Sequence, residues 1–103
     1  MRGGLRAGRA SRPESAVIST VRPSFWRAYG ALAENTKRDA GRAYALFAQD
    51  PGHPSLRFKK LSGYADVWSV RISAQYRAVG QRSGNEIVWV WIGSHNDFDK
   101  LFG

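Results

Sequence analysis

From position 16 onward, apolar residues recur first at short alternating intervals, then at helical spacing, then at alternating intervals again. Ala16 to Val21 is rich in β-branched residues and predicts a short strand. Arg22-Pro23-Ser24 then breaks the pattern, with Pro23 suited to a first helical turn and Ser24 to a cap just outside it. Phe25, Tyr29 and Leu32, flanked by Trp26 and Ala33, predict a first helix over Ser24–Ala33. Asn35 and Thr36 are read as the cap of a second helix, whose stripe Ala40, Ala43, Tyr44 and Phe47 follows the i, i+3, i+4, i+7 rule. Asp50-Pro51-Gly52 ends it, and two helices so joined form a hairpin that must cover another layer.

The second half supplies that layer. Leu56–Leu61 predicts a strand carrying Arg57, Lys59 and Lys60, and Ser62 to Asp66 a loop. Val67–Ser73 alternates, with Trp68, Val70 and Ile72 on one face and Val67, Ser69 and Arg71 on the other. Tyr76–Arg82 is the next strand, Ser83-Gly84-Asn85 a tight hairpin turn, and Glu86–Ile92, apolar at nearly every position, a central strand. The tail from Gly93 to Phe102 predicts one short helical turn. The fold class is therefore α+β: a strand and a two-helix hairpin packed on a twisted, mainly antiparallel sheet. Trp68 and one of Trp89 or Trp91 are expected under the helices.

Composition narrows what such a fold serves. The chain has 103 residues, room for one core, and residues 16–103 are read as a single domain. Residues 1–15 hold Arg2, Arg6, Arg9 and Arg12 but, after Met1, only Leu5 as a large apolar side chain, which predicts a disordered basic arm and no secretory signal. Sixteen Lys+Arg against eight Asp+Glu give a net charge of +8 and a pI near 10.6, so a polyanion is the default partner. No cysteine is present, which excludes thiolate metal sites and thiol nucleophiles and fits a reducing cytoplasm. No apolar run reaches the roughly 20 residues of a membrane span, and no cofactor or metal motif appears.

Four segments together carry a resemblance: Pro23-Ser24-Phe25-Trp26; His53-Pro54-Ser55-Leu56-Arg57-Phe58-Lys59-Lys60-Leu61; Val67 to Ile72 followed by Gln75-Tyr76-Arg77-Ala78; and Ile87 to Ile92 followed by Gly93-Ser94-His95. In order and spacing they are similar to the RelE/ParE superfamily of bacterial toxins, in a ParE-like branch also described as cytotoxic translational repressors. The resemblance implies a type II toxin that has a cognate antitoxin with an acidic segment. It also implies one of two targets, mRNA on the ribosome for the endonucleases of the superfamily, or DNA gyrase for its non-catalytic inhibitors. A non-toxic RNA-binding relative is the third reading.

RNA cleavage without a metal needs a group to take the 2′-hydroxyl proton, charge to stabilise the phosphorane, and a proton for the leaving 5′-oxygen. The resemblance places His95, just after the last strand, as acid or base, with Arg77 of the Tyr76-Arg77 pair and Arg71 on the phosphate. Arg57, Lys59 and Lys60 form a basic strand suited to backbone contacts, and Phe98 is the tail aromatic that stacks on a base. Two positions depart from the nuclease pattern: Ser69 stands where a lysine is expected, and Phe98 lacks a hydroxyl. Plain structural roles compete with each assignment. His95 can cap the tail turn, the arginines can solubilise a face, and lysines on an edge strand discourage sheet-to-sheet pairing. His53, beside Pro54, is expected to be structural.

Overall fold

The structure, a computed structural model, describes residues 17–103. The arm expected over residues 1–15, and Ala16, lie outside the described residues. Within them the chain forms β1 (Ile18–Val21), α1 (Pro23–Gly30), α2 (Glu34–Gln49), a 3-10 turn (Pro54–Leu56), β2 (Lys59–Lys60), β3 (Val67–Arg71), β4 (Tyr76–Ser83), β5 (Glu86–Ser94) and α3 (His95–Phe102). The strands make one mixed sheet in the order β1-β5-β4-β3-β2, with β1 parallel to β5 and every other pair antiparallel. The fold is α+β, in the expected β-α-α-β-β-β-β order, followed by a third helix.

One face of the sheet carries α1 and α2. Phe47, from α2, is almost wholly buried and meets Trp89 of β5 edge-on at 5.4 Å and Phe58 at 4.9 Å. Val70, Ala78 and Ile92, aligned across β3, β4 and β5, complete the floor. Trp68 is half-buried, packed at a tilt against Phe58 and covered by the Arg82 guanidinium at 4.7 Å.

A bulge in β5 decides which aromatics reach this core. Val79 pairs with Trp91 but its neighbour Gly80 pairs with Trp89, so Val90 is an extra residue. Alternation alone would put Trp89 and Trp91 on the same side. The extra residue sends Trp89 into the core and Trp91 to the opposite face. The bulge is held from α1: the Ser24 hydroxyl donates to the Val90 carbonyl at 2.7 Å, and Arg22 N–H to the Trp89 carbonyl at 2.9 Å. Gly80 is required where the bulge brings β5 close, since a Cβ there would stand 2.8 Å from Ile87.

Several expectations change. Ser24 does not cap α1 from outside; Arg22 holds the cap position and Ser24 is spent on Val90. Asn35 and Thr36 lie inside α2, which Ala33 begins without a side-chain cap, and Thr36 is buried on its inner face with Ala40, Ala43 and Phe47. Tyr44, expected in that stripe, is 54% exposed because the small residues bring the helix to the sheet along a line one position away. The strand expected over Leu56–Leu61 shrinks to Lys59–Lys60. His53 caps a 3-10 turn, its Nδ1 accepting from Ser55 N–H at 3.2 Å, and the turn ends on Arg57 at φ 47°, a left-handed residue that interrupts the extended run. The tail is a two-turn helix, longer than the single turn expected.

Candidate functional site

The face of the sheet away from α1 and α2 is built from Ser69 and Arg71 of β3, Arg77 and Val79 of β4, and Trp91 and Gly93 of β5, in register across the strands. The third helix runs back over its β4–β5 side. It starts where Ser94 accepts from Asp97 N–H at 3.1 Å, with His95 N–H on the Gln75 carbonyl at 2.6 Å, and it carries Asp97 in its first turn and Lys100 in its last, matching the helix dipole. Its apolar side docks on Trp91, through Phe98 at 6.5 Å and Phe102 at 5.5 Å between ring centres. Gly93 makes room for this, because a Cβ at that position would lie 2.4 Å from the Trp91 ring.

Arg71 and Arg77 are direct cross-strand partners. Like charges opposed in this way destabilise a sheet, so nothing in the folding of β3 and β4 calls for the pair. Neither forms an ion pair among the described residues. The Arg77 guanidinium is pushed below its ordinary pKa, first by partial burial and then by the positive charges of Arg71 and Arg57, with Asp99 acting in the opposite sense. It lies over the Phe98 ring at 5.9 Å. Arg71 reaches the carbonyl of Ser73 through Nε at 3.4 Å.

His95 stacks near Phe98, ring centres 6.3 Å apart, and its Nε2 is 3.3 Å from an Asp99 carboxylate oxygen one helical turn on. Its Nδ1 is enclosed and has no hydrogen-bond partner among the described residues. Ser94, and not His95, caps the tail helix. The structure thus brings Arg71, Arg77, Arg57, His95 and Phe98 to one region. Lys59 pairs with Ser69 at the margin of the same face, whereas Lys60 pairs with Trp68 and belongs to the helix-covered side. Ser69 is 2% exposed and presents neither charge nor hydroxyl. Asp99, Phe102 and Tyr64 adjoin this region and were missed by sequence reasoning, and Trp91, read there as a candidate for the core, lies on this face as well. The four-residue spacing of His95 and Asp99 is the signal that would have found Asp99, once the tail is read as a full helix.

The other face has a feature of its own, an apolar groove of about 370 Å³ between α1 and α2. Phe25, Trp26, Tyr44 and Ile72 are among its walls, and Trp26 and Tyr44 are each 54% exposed. Among the described residues no helix is long and apolar enough to cross a membrane, and no group of three or more histidine or carboxylate side chains is placed to hold a metal.

A helix hairpin on one side of a five-stranded mixed sheet and a short tail helix over a basic patch on the other define a small RelE-like α+β toxin fold. Residues 35–100 match the family model of the ParE-like toxin domain. The chain belongs to that family and so to the RelE/ParE superfamily of toxins. Among solved structures it is similar to the RelB–RelE antitoxin–toxin complex from Methanococcus jannaschii, with a TM-score of 0.66 and 13% identity over 82% of this chain and 99% of that one. It is also similar to YafQ from E. coli (TM-score 0.64, 10% identity, 84% and 99% covered) and to the YoeB/ParE toxin from Agrobacterium tumefaciens (0.60, 20%, 77% and 99%). At such identities these likenesses concern the fold. No curated protein sequence matches the chain.

Proposed function

We propose that the chain is the toxin of a type II toxin–antitoxin pair and that it arrests translation by cutting mRNA on the ribosome. The observation that carries this reading is the opposed Arg71–Arg77 pair beside Phe98 and His95, a costly grouping of positive charge that a phosphate would relieve. In this reaction the 2′-oxygen attacks the adjacent phosphorus, the bond from phosphorus to the 5′-oxygen breaks, and the 2′-hydroxyl proton is taken up while another is delivered to the leaving oxygen. The two arginines hold the phosphate oxygens as charge builds on them. With Nδ1 enclosed, Nε2 is the His95 nitrogen left for proton transfer, and Asp99 orients the ring until RNA takes its place. Arg57 and Lys59 steer the backbone, and Phe98 stacks on a base.

The antitoxin is proposed from the neighbours: the similar structures include the RelB–RelE complex and the E. coli DinJ–YafQ toxin–antitoxin complex. An acidic partner segment suits the +8 charge, and the apolar groove between α1 and α2 fits the apolar side of an amphipathic helix. The enclosed Nδ1, the buried Ser69 and the hydroxyl-free Phe98 favour a second reading, a non-catalytic toxin that inhibits gyrase. Purified protein added to translating ribosomes separates the two. Cleavage products on primer extension that vanish in Arg77→Ala and His95→Ala support the nuclease. Arrest undiminished in both variants refutes it, and loss of supercoiling with translation intact supports the gyrase reading.

A further inference from the structure

The tail helix and the β2–β3 loop make a continuous aromatic ledge along the outer face. Its inner members are Trp91, Phe98 and Phe102, and its outer end is Tyr64, which meets Phe102 at 6.2 Å between ring centres, nearly edge-on. Tyr64 is 40% exposed and stands in the sequence Ser62-Gly63-Tyr64-Ala65-Asp66, whose small neighbours leave its ring unshielded. The loop is not a loose one. Leu61 N–H donates to the Val67 carbonyl at 2.8 Å and Arg82 N–H to the Asp66 carbonyl at 2.8 Å. Gly63 and Asp66 take left-handed conformations at φ 85° and 60°, fixing the turn in between. A large, flat, amphipathic side chain is thus held on a short anchored loop with part of its surface open to solvent.

We propose that Tyr64 is a nucleobase-stacking residue, taking a base of single-stranded RNA further along the strand than the one at Phe98 and Arg77, past Phe102. This rests on the reading of the outer face as the RNA site. Phe98 and Phe102 are one helical turn apart, about 6 Å along the axis, and the Tyr64 ring lies beyond Phe102 at 6.2 Å between centres, each interval being on the scale of one nucleotide step in an unstacked strand. Arg77 lies over Phe98 at the near end, so a backbone held by the arginines directs consecutive bases along the ledge. Aromatic faces beside a basic track are what single strands bind, with little regard to base identity. The hydroxyl that Phe98 lacks is not needed for this role, which belongs to the ring.

The test is the affinity of the full chain for a short fluorescein-labelled oligoribonucleotide, intact and with one abasic residue moved along it. Tyr64→Ala and Tyr64→Leu are expected to weaken binding about tenfold, while Tyr64→Phe changes it less than about twofold. Leucine keeps an apolar contact with Phe102 but has no flat face, so matched melting curves for Tyr64→Leu and wild type separate stacking from folding. At one position the abasic residue should weaken wild type by the same tenfold and the Tyr64→Leu variant no further. Wild-type affinity in Tyr64→Leu, or an abasic penalty undiminished in it at every position, overturns the proposal alone. Failure of wild type to bind, or binding indifferent to Arg77→Ala, overturns the RNA reading of the face and this inference with it.

Discussion

Replacing Arg77 by methionine should make the protein more stable while removing the RNA cleavage proposed for it. Methionine keeps an unbranched side chain against Phe98 but deletes the charge opposed to Arg71. The lost cation–π contact is worth about 0.5–1 kcal/mol, and the sulfur–aromatic contact that replaces it about 0.3–1.5 kcal/mol, so these two nearly cancel. What is left is relief of a directly opposed like-charge pair, about 0.2–1 kcal/mol, and of the partial burial that lowers the Arg77 pKa. For a base held below its ordinary value, the charged form is the disfavoured one in the folded state. The deficit is therefore present at every pH below the folded pKa, including the whole neutral range, and disappears only in strong alkali. A gain of about 0.5–1 kcal/mol corresponds to a rise in Tm of a few degrees at about 4–8 °C per kcal/mol for a chain of this size. Thermal melts at low and high salt, with Arg77→Lys as the charge-retaining control, measure it. The gain should be absent in Arg77→Lys and equal at pH 6 and pH 8. It should also shrink as the Debye length falls from about 10 Å at 0.1 M to about 3 Å at 1 M salt. A Tm that drops in Arg77→Met, or an equal gain in Arg77→Lys, would refute the argument that charge opposition dominates here.

Three further outcomes follow from the geometry. Ser24→Ala leaves the Val90 carbonyl at the bulge without its donor and should cost about 1–3 kcal/mol in urea unfolding, with a shift in tryptophan emission as Trp89 and Trp91 move. Gly93→Ala drives a Cβ into the Trp91 ring and should destabilise by about 1–3 kcal/mol, and limited proteolysis should then cut first in the undocked tail helix. Ser94→Ala removes the cap of that helix at about 0.5–2 kcal/mol. Amide exchange should quicken from Asp97 to Phe102 while β3 and β4 stay protected.

The helix hairpin, the meander and the turn at Gly84 were legible because each is written in local periodicity or turn chemistry, and Gly84 does take the left-handed conformation a hairpin asks for. Arg71, Arg77, His95 and Phe98 were legible as candidates through the resemblance, and the fold brings them to one region. Three things were hidden. The bulge at Val90 leaves no mark in a strand that is apolar at nearly every position, so the sides taken by Trp89 and Trp91 could not be assigned. The left-handed Arg57 looks like any strand residue in a run of alternating basic and apolar positions. Tyr64 is separated from Phe102 by thirty-eight positions, and only the return of the tail helix over the sheet brings them together.

The two faces of the sheet follow different rules, and the difference supports the site proposed on the outer one. Toward α1 and α2 the core keeps the local rules: Phe47, Ile87, Trp89 and Ile92 are buried and the carbonyl freed by the bulge receives the Ser24 hydroxyl, while Trp26 and Tyr44 stay exposed along the groove. On the other face they are broken repeatedly within a small area. Two arginines oppose each other, a third adds to their repulsion, and an imidazole nitrogen is enclosed with no partner among the described residues. Each costs stability and none helps the strands to pair or the tail helix to dock, for which Trp91, Phe98 and Phe102 suffice. Violations scattered over a surface are noise, but violations gathered beside an aromatic ledge support the proposal that a ligand binds there. An anion would answer the arginines, and a stacked base the exposed ring of Tyr64. A nucleic acid strand offers both at the spacing of its own backbone.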